Sequence, residues 1–330
     1  MTGPGDTAGP RILVVGYNAF DVIVPVQDFP EPDEKTEVSR VITGGGGPGA
    51  TASVALARLG AAVKLITPLT DDLPGRLQRR ELLAGGVDLS LSPTMAGCES
   101  PKAVILVDEA RAQRTIFWSR GNVPVLEPRH AVLEILDEVD LLYTDGHEAE
   151  VSLRLARAAR ERGLPVVMDA GSVRAGSEEL VACCTDVVSS RGFAPSLTGL
   201  ASPLDALRAL RDMGPTRVAM TFGSKGALGL ENDIPLPIPS FAVPVTDTTG
   251  AGDAFHAGYA FALADGLEFR ACLDWGSAVA GLKCRDWGGR RGLPYLQEVL
   301  RLIETGSRNS LADLLAMVQI PDPDGPSAFH

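Results

Sequence analysis

Short apolar segments that recur between amphipathic stretches constrain this chain more than any other feature. RILVVG (11–16), AVKLITPL (62–69), VDLLYTD (139–145), PVVMDA (165–170), DVVSS (186–190) and RVAMTFG (217–223) each read as a strand apolar on both faces. Such strands are buried between helices in parallel sheets. GATASVALARLG (49–60), RLQRRELLAGG (76–86) and the segments 148–162 and 202–212 read as the intervening helices. A long helix starts near Gly250, followed by helices over 268–284 and near 294–303. The alternation predicts an α/β fold: an open, doubly wound, mostly parallel sheet flanked by helices. Aromatic residues are only 5% of the chain, so Ala, Val and Leu must fill its core.

Two pairs of segments depart from this pattern. FDVIVPVQDF (20–29) with EKTEVSRVI (34–42), and KAVILVD (102–108) with RTIFWSR (114–120), alternate apolar and polar residues. Each therefore has one wet face. They predict a small β-sheet built from about 18–43 and 101–120, inserted in the core domain and lying over the main sheet's edge. Ligands of doubly wound sheets bind beyond the C-terminal strand ends, where a covering sheet acts as a lid that excludes water. One domain is expected over 11–305, with disordered tails at 1–10 and 319–330.

The net charge of −12 argues against a nucleic-acid or membrane-surface partner. The chain has no signal-peptide pattern and no membrane-length apolar run. Its five cysteines include no C-x-x-C pair, and a reduced, cytoplasmic protein is expected.

VTDTTGAGDAFHAGYAFALADG (245–266) carries the strongest chemical signal. If a helix starts at Gly250–Gly252, its first-turn N–H groups have no intrahelical acceptor. Gly250, Ala251 and Gly252 would let a phosphate approach that backbone, where the helix dipole favours an anion by about 0.3–1 kcal/mol. Asp253 in the same turn suits a general base for an alcohol nucleophile, or it only complements the dipole. Ala254, Gly258 and Ala262 form a small-residue stripe for close packing on the sheet. GGGGPGATASVALARLG (44–60) holds a G-x-G-x-x-G at Gly44, Gly46 and Gly49. It lies about thirty residues after the first strand, and the following strand reaches Thr67 rather than an acid, so a dinucleotide site is disfavoured. A hinge close to a ligand or a plain turn into a helix remain open.

Taken together, DTTGAGDAF, GGGPGATASVALARLG, GYNAFD (16–21) and AGLKCRDWGGRRGLP (280–294) resemble the PfkB, or ribokinase-like, carbohydrate kinases over roughly 11–305. The resemblance implies a doubly wound core with a small β lid and transfer of the γ-phosphoryl group of ATP, with Mg²⁺, to a hydroxyl of a sugar or nucleoside. It implies that Asp253 is the catalytic base and Gly250, Ala251 and Gly252 the anion hole. Asp21 would bind sugar hydroxyls, and Gly46 and Gly47 would approach the sugar and hinge the lid. TFGSKG places Thr221, Gly223 and Gly226 near ATP, with Thr248 also on the nucleotide side. Asp247 and Thr249 would help hold a monovalent cation such as K⁺.

Three positions differ from the family pattern. Thr51 replaces an asparagine, Ser190 and Phe193 stand where an N-x-x-E motif is usual, and Ser277 replaces an asparagine near the adenine. Without that glutamate, Mg²⁺ would be held mainly by phosphates and water. The first two differences point to the branch of ketohexokinase-like, fructokinase-like and sulfofructose kinases, hence to a ketose or related sugar. Lys35 falls where sulfofructose kinases carry a lid lysine, though a plain surface lysine is the preferred reading. Asp145 and His147 end a strand at the expected sugar pocket. Trp118 and Arg120 lie on the second lid pair, where Trp118 either stacks on a sugar or packs the lid. A nucleoside kinase and a non-catalytic sugar or nucleotide sensor are the alternatives. An exposed lid sheet would allow a homodimer.

Overall fold

The computed structural model describes residues 9–108 and 113–319; most of both expected tails lies outside them. In chain order the strands are β1 (Arg11–Val15), β2 (Ala19–Val26), β3 (Ile42–Gly46), β4 (Ala62–Ile66), β5 (Leu69–Thr70), β6 (Val87–Asp88), β7 (Thr94–Met95), β8 (Lys102–Asp108), β9 (Gln113–Ser119), β10 (Leu141–Thr144), β11 (Val166–Ala170), β12 (Asp186–Ser189), β13 (Arg217–Thr221), β14 (Ala227–Glu231) and β15 (Ile234–Ile238). The main sheet runs β15-β14-β13-β12-β11-β10-β1-β4-β6. Its pairs are parallel from β6 to β13, and an antiparallel hairpin, β14–β15, closes one side.

Side-chain alternation divides the interior into two layers. Ile12, Val14, Leu141, Tyr143, Val167 and Val188 face the helices Pro48–Arg58, Ala251–Ala264 and Phe269–Lys283. Leu13, Val15, Leu142, Val166, Met168 and Val187 face Ala149–Glu161 and Pro203–Asp212. The chain turns from β1 towards β4 on one side and later returns beside β1 as β10. The strand order therefore reverses between β1 and β10, and a crevice opens beyond their C-terminal ends.

The small sheet is four-stranded, β3-β2-β8-β9, as the two strand pairs predict, except that one strand lies elsewhere. Residues 27–41, all but the last residue of the strand expected at 34–42 among them, have no regular structure. The partner of β2 is ITGGG itself, with Asp21 opposite Gly44 and Ile23 opposite Ile42. Pro30, Pro32 and an exposed charged run break up the earlier segment, whereas β3 can place Ile42 against Ile23 and Ile105 beneath the sheet.

The small-residue stripe also needs correction. A Cβ at Gly258 would lie 2.8 Å from the Trp275 carbonyl oxygen, and one at Gly276 2.9 Å from the Phe255 ring. Gly258 therefore allows two helices to touch, Ala251–Ala264 and Phe269–Lys283, rather than packing a helix on the sheet.

Candidate active site

The long helix begins at Ala251, and Gly250 before it has φ 75. A side chain at Gly250 would be strained in that left-handed conformation, and its Cβ would lie 2.8 Å from Gly289 Cα. No side chain caps this terminus. The Ala251 N–H turns back to the Thr248 carbonyl at 3.1 Å, so the first-turn donors aimed outwards are those of Gly252 and Asp253. Of the expected Gly250–Gly252 segment, the Ala251 N–H is therefore turned inwards, to Thr248. Gly252 is exposed, and a Cβ there would meet nothing. The terminus is open to an incoming anion.

Asp253, partly buried in that turn, has its pKa pushed up to about 7. Burial is the main cause, and Asp169 and Asp145 add to it while His256 and Arg114 oppose it. Asp169 ends β11 and was not anticipated from the sequence. Burial and the charge of Asp145 raise it to about 7 as well, although the Tyr143 hydroxyl donates to it at 3.0 Å. His256 lies 3.4 Å from Asp169 and directs its two ring nitrogens at the carbonyls of Gly252, 2.6 Å, and Val188, 3.0 Å. Only an imidazolium donates to both. Burial lowers its pKa, against Asp253 and the two carbonyl contacts, which favour the charged form.

Asp21 projects from β2 towards the same crevice. Its pKa is raised to about 7 by burial and by the charges of Asp253 and Glu81, with Arg290 opposing. Arg290 is 3% exposed. It donates to the Gly46 carbonyl at 2.6 Å and to Asn18 Oδ1 at 3.2 Å, and pairs with Glu81 at 3.5 Å. Thr51 Oγ1 lies 3.5 Å from its Nε. A cavity of about 130 Å³ lined by Asp21, Gly44, Gly45, Glu81, Gly289 and Arg290 opens here. A Cβ at Gly45 would lie 2.0 Å from the guanidinium and one at Gly46 2.1 Å from Asp21. The glycines therefore serve to admit these two side chains. Gly47, φ 85, follows as the junction to the Pro48–Arg58 helix.

Other expected site residues have structural partners. Asp145 Oδ2 accepts the N–H groups of Tyr17, 2.7 Å, and Gly49, 2.8 Å, while Oδ1 accepts that of His147, 3.0 Å. It clamps the β1 end to the glycine segment at the strand-order reversal. His147 stacks on Tyr17 at 4.3 Å, and its Nε2 faces Arg174 at 2.8 Å. Burial, Arg174 and Arg120 lower its pKa against Asp145. Arg120 pairs with the fully buried carboxylate of Glu148. Ser190 accepts the Phe193 N–H at 3.2 Å and donates to Gly171 O at 2.8 Å, the start of a short helix. Thr221 ends β13, with Gly223 and Gly226 in the turn that follows. Ser277 is buried in the Phe269–Lys283 helix, and Lys35 is exposed within 27–41. Trp118 is 58% exposed, with its ring edge-on to Tyr17.

Besides Arg290, two more basic residues of the site escaped the sequence reading. Arg114 of β9 donates to Thr248 Oγ1 at 2.9 Å, which ties the small sheet to the anion-receptive turn. Lys283 is fully buried behind that turn. Asp247 uses Oδ1 to accept from the Thr249 N–H and hydroxyl, and Oδ2 to accept from the Gly288 N–H. Among the described residues, no three His, Cys, Asp or Glu side chains converge to hold a metal.

An open helix terminus with a carboxylate in its first turn, at the end of a doubly wound sheet and beneath a small second sheet, defines a phosphotransferase with an alcohol acceptor. The chain belongs to the pfkB family of carbohydrate kinases, which its residues 10–295 match. It is 28% identical over 296 residues to a ribokinase of Bacillus subtilis, covering 89% of this chain and 99% of the relative. It is 26% identical over 296 residues to a nucleoside kinase of Methanothermobacter thermautotrophicus, covering 88% of this chain and 94% of that one. The fold is that of Arabidopsis thaliana ribokinase, solved with ribose and ATP, at a TM-score of 0.77 and 23% identity over 90% of this chain and 99% of the other. The protein is an ATP-dependent carbohydrate or nucleoside kinase. The narrower expectation of a ketohexokinase-like or sulfofructose kinase branch, and with it a ketose, is corrected, because these relatives are ribokinases and a nucleoside kinase. Among the described residues no helix is long and apolar enough to cross a membrane.

Proposed function

We propose that the chain, a cytoplasmic enzyme, transfers the γ-phosphoryl group of Mg-ATP to a hydroxyl of ribose or of a ribose-containing nucleoside. Residues 11–305 form the kinase domain, and the small sheet is its lid. Asp253 takes the proton from the attacking hydroxyl, which Asp21 orients from the lid. The Gly252 and Asp253 amides, with Arg114 over Thr248, face the charge that develops on the phosphoryl group. Bound to the nucleotide, Mg²⁺ neutralises phosphate charge. The observation that carries this reading is the carboxylate of Asp253, held near neutral pKa in an uncapped helix turn. A general base near the working pH contributes about 10²–10⁴-fold.

The nucleoside version draws on the Tyr17–His147 stack with Trp118 beside it, a wall of ring surface against which a base could lie. A homodimer through the lid is part of the proposal. Val104, 43% exposed, and Phe117, 59%, pair on the sheet face opposite to Asp21, and sizing of Phe117→Ser against the parent chain tests it.

ADP release from Mg-ATP over ribose, deoxyribose, adenosine, other nucleosides and ketoses, with Asp253→Asn in parallel, tests the activity. Turnover confined to ribose or nucleosides and lost in the variant is expected. Ligand binding with no phosphorylated product from any acceptor would sink the kinase reading in favour of a sensor.

A further inference from the structure

The sequence led to the expectation of an alkali cation at Asp247 and Thr249, and the structure disagrees. Such an ion is held by converging oxygens, main-chain carbonyls above all. Two loops, 246–249 and 284–288, meet here and hydrogen-bond through their carbonyls. Cys284 O accepts the N–H groups of Thr246, 2.7 Å, and Asp247, 3.2 Å. Arg285 O accepts the Thr246 hydroxyl at 3.1 Å. Two further carbonyls, Asp247 O and Asp286 O, receive the ammonium of Lys283 at 2.9 and 3.5 Å. Both carboxylate oxygens of Asp247 are engaged as well, by Thr249 and Gly288.

Lys283 is 0% exposed. A buried ammonium is costly unless hydrogen bonds and opposite charge compensate it. Burial lowers its pKa, and two carbonyls and the nearby negative charge of Asp247 compensate. An ammonium group has the charge of K⁺, a similar size, and the same preference for carbonyl oxygens.

We propose that the Lys283 ammonium is this chain's resident monovalent cation, fixed between the 246–249 and 284–288 loops, so that the kinase needs no K⁺. From there it braces Asp247, which holds Thr249, which leads directly into the Gly250–Asp253 turn. The lysine is a positioning residue: it touches the loop rather than a reacting atom. The inference rests on the kinase reading only for its nucleotide-binding arm.

The test compares the full chain in KCl, NaCl and tetramethylammonium chloride at matched ionic strength. Thermal midpoint and Mg-ADP affinity by calorimetry are both read. A resident ion that binds the folded chain would raise the midpoint with its own concentration. The expected result is the same midpoint and affinity in all three salts. A midpoint or affinity that climbs with KCl but not with tetramethylammonium chloride overturns the proposal.

Lys283→Thr, which vacates the space and leaves a hydroxyl, is expected to bind Mg-ADP roughly tenfold more weakly in tetramethylammonium chloride. K⁺ or NH₄⁺ is expected to restore it. A variant that binds as the parent does in every salt also overturns the proposal. If Lys283→Thr does not fold, the parent's salt series still decides. Loss of Mg-ADP binding by the parent in every salt would count against the kinase reading instead, with the midpoint series left to decide the cation question.

Discussion

The carboxylate of Asp21 rests against the backbone of Gly46, with Oδ2 only 2.1 Å from where a Cβ on that glycine would stand. Gly46→Ala must therefore displace Asp21, whose carboxyl atoms lie within 2.4 Å of that Cβ. Misplacement of an orienting group by about 1 Å costs on the order of 10²-fold. The expected outcome is a fall of that size in kcat/KM for the acceptor with Mg-ATP affinity kept, measured by steady-state kinetics and calorimetry.

Asp253 and Asp21 both titrate near pH 7. Their raised pKa values leave them protonated, and so inactive as base or acceptor, on the acid side. kcat/KM is expected to rise about tenfold per pH unit below 7, more steeply if both must ionise, and to level off above it. A pH–rate profile at saturating Mg-ATP checks this.

The same shift has a stability sign. A folded pKa raised from 3.8 to about 7 means that deprotonation of Asp253 favours the unfolded chain. The penalty is absent below about pH 4, grows as pH passes through the folded pKa, and is complete above it. Asp253→Asn should therefore melt higher than the parent at about pH 8, with the gap closing towards pH 4. Melting curves at the two values read it directly.

Arg114 lowers the pKa of Asp253 while holding Thr248. Arg114→Ala is expected to cut kcat by about 10²-fold, as loss of one charge at a transferring phosphoryl group does. It should also move the acid limb of the pH profile to higher pH. Because Arg114 is exposed, the melting temperature should hold.

Arg290→Met would strip hydrogen bonds from Asn18 and the Gly46 carbonyl and leave Glu81 without its guanidinium. A destabilisation of about 2–3 kcal/mol is expected, read by denaturant unfolding.

Much of this was legible in the chain. Apolar runs closed by glycine marked the parallel strands, and Gly-Ala-Gly before Asp253 marked the open helix end. What escaped notice depends on who meets whom across the fold. Lys283 ends a helix, where lysine ordinarily faces water, and nothing nearby in sequence announces the Asp247 carbonyl thirty-six residues earlier that receives it. Asp145 reads as a free strand-end acid until three backbone N–H groups are found on it. Asp169 and Arg290 gain their meaning only from Asp253 and Asp21. The strand expected at 34–42 failed up to Val41 because alternation alone does not supply a partner, whereas β3, from Ile42 on, had one in Ile23.

The β14–β15 hairpin escaped for a different reason: Pro235 and Pro237 argue against a strand unless it lies at an edge. β15 does, with Leu230 opposite Pro235 and Leu228 opposite Pro237. Their nitrogens carry no hydrogen and face away from β14. A strand arriving from another molecule would find two carbonyl oxygens there and no donor to answer its own, so the main sheet cannot be extended on that side. At the opposite end β6 offers only Val87 and Asp88. The architecture thus guards itself against ribbon-like polymerisation.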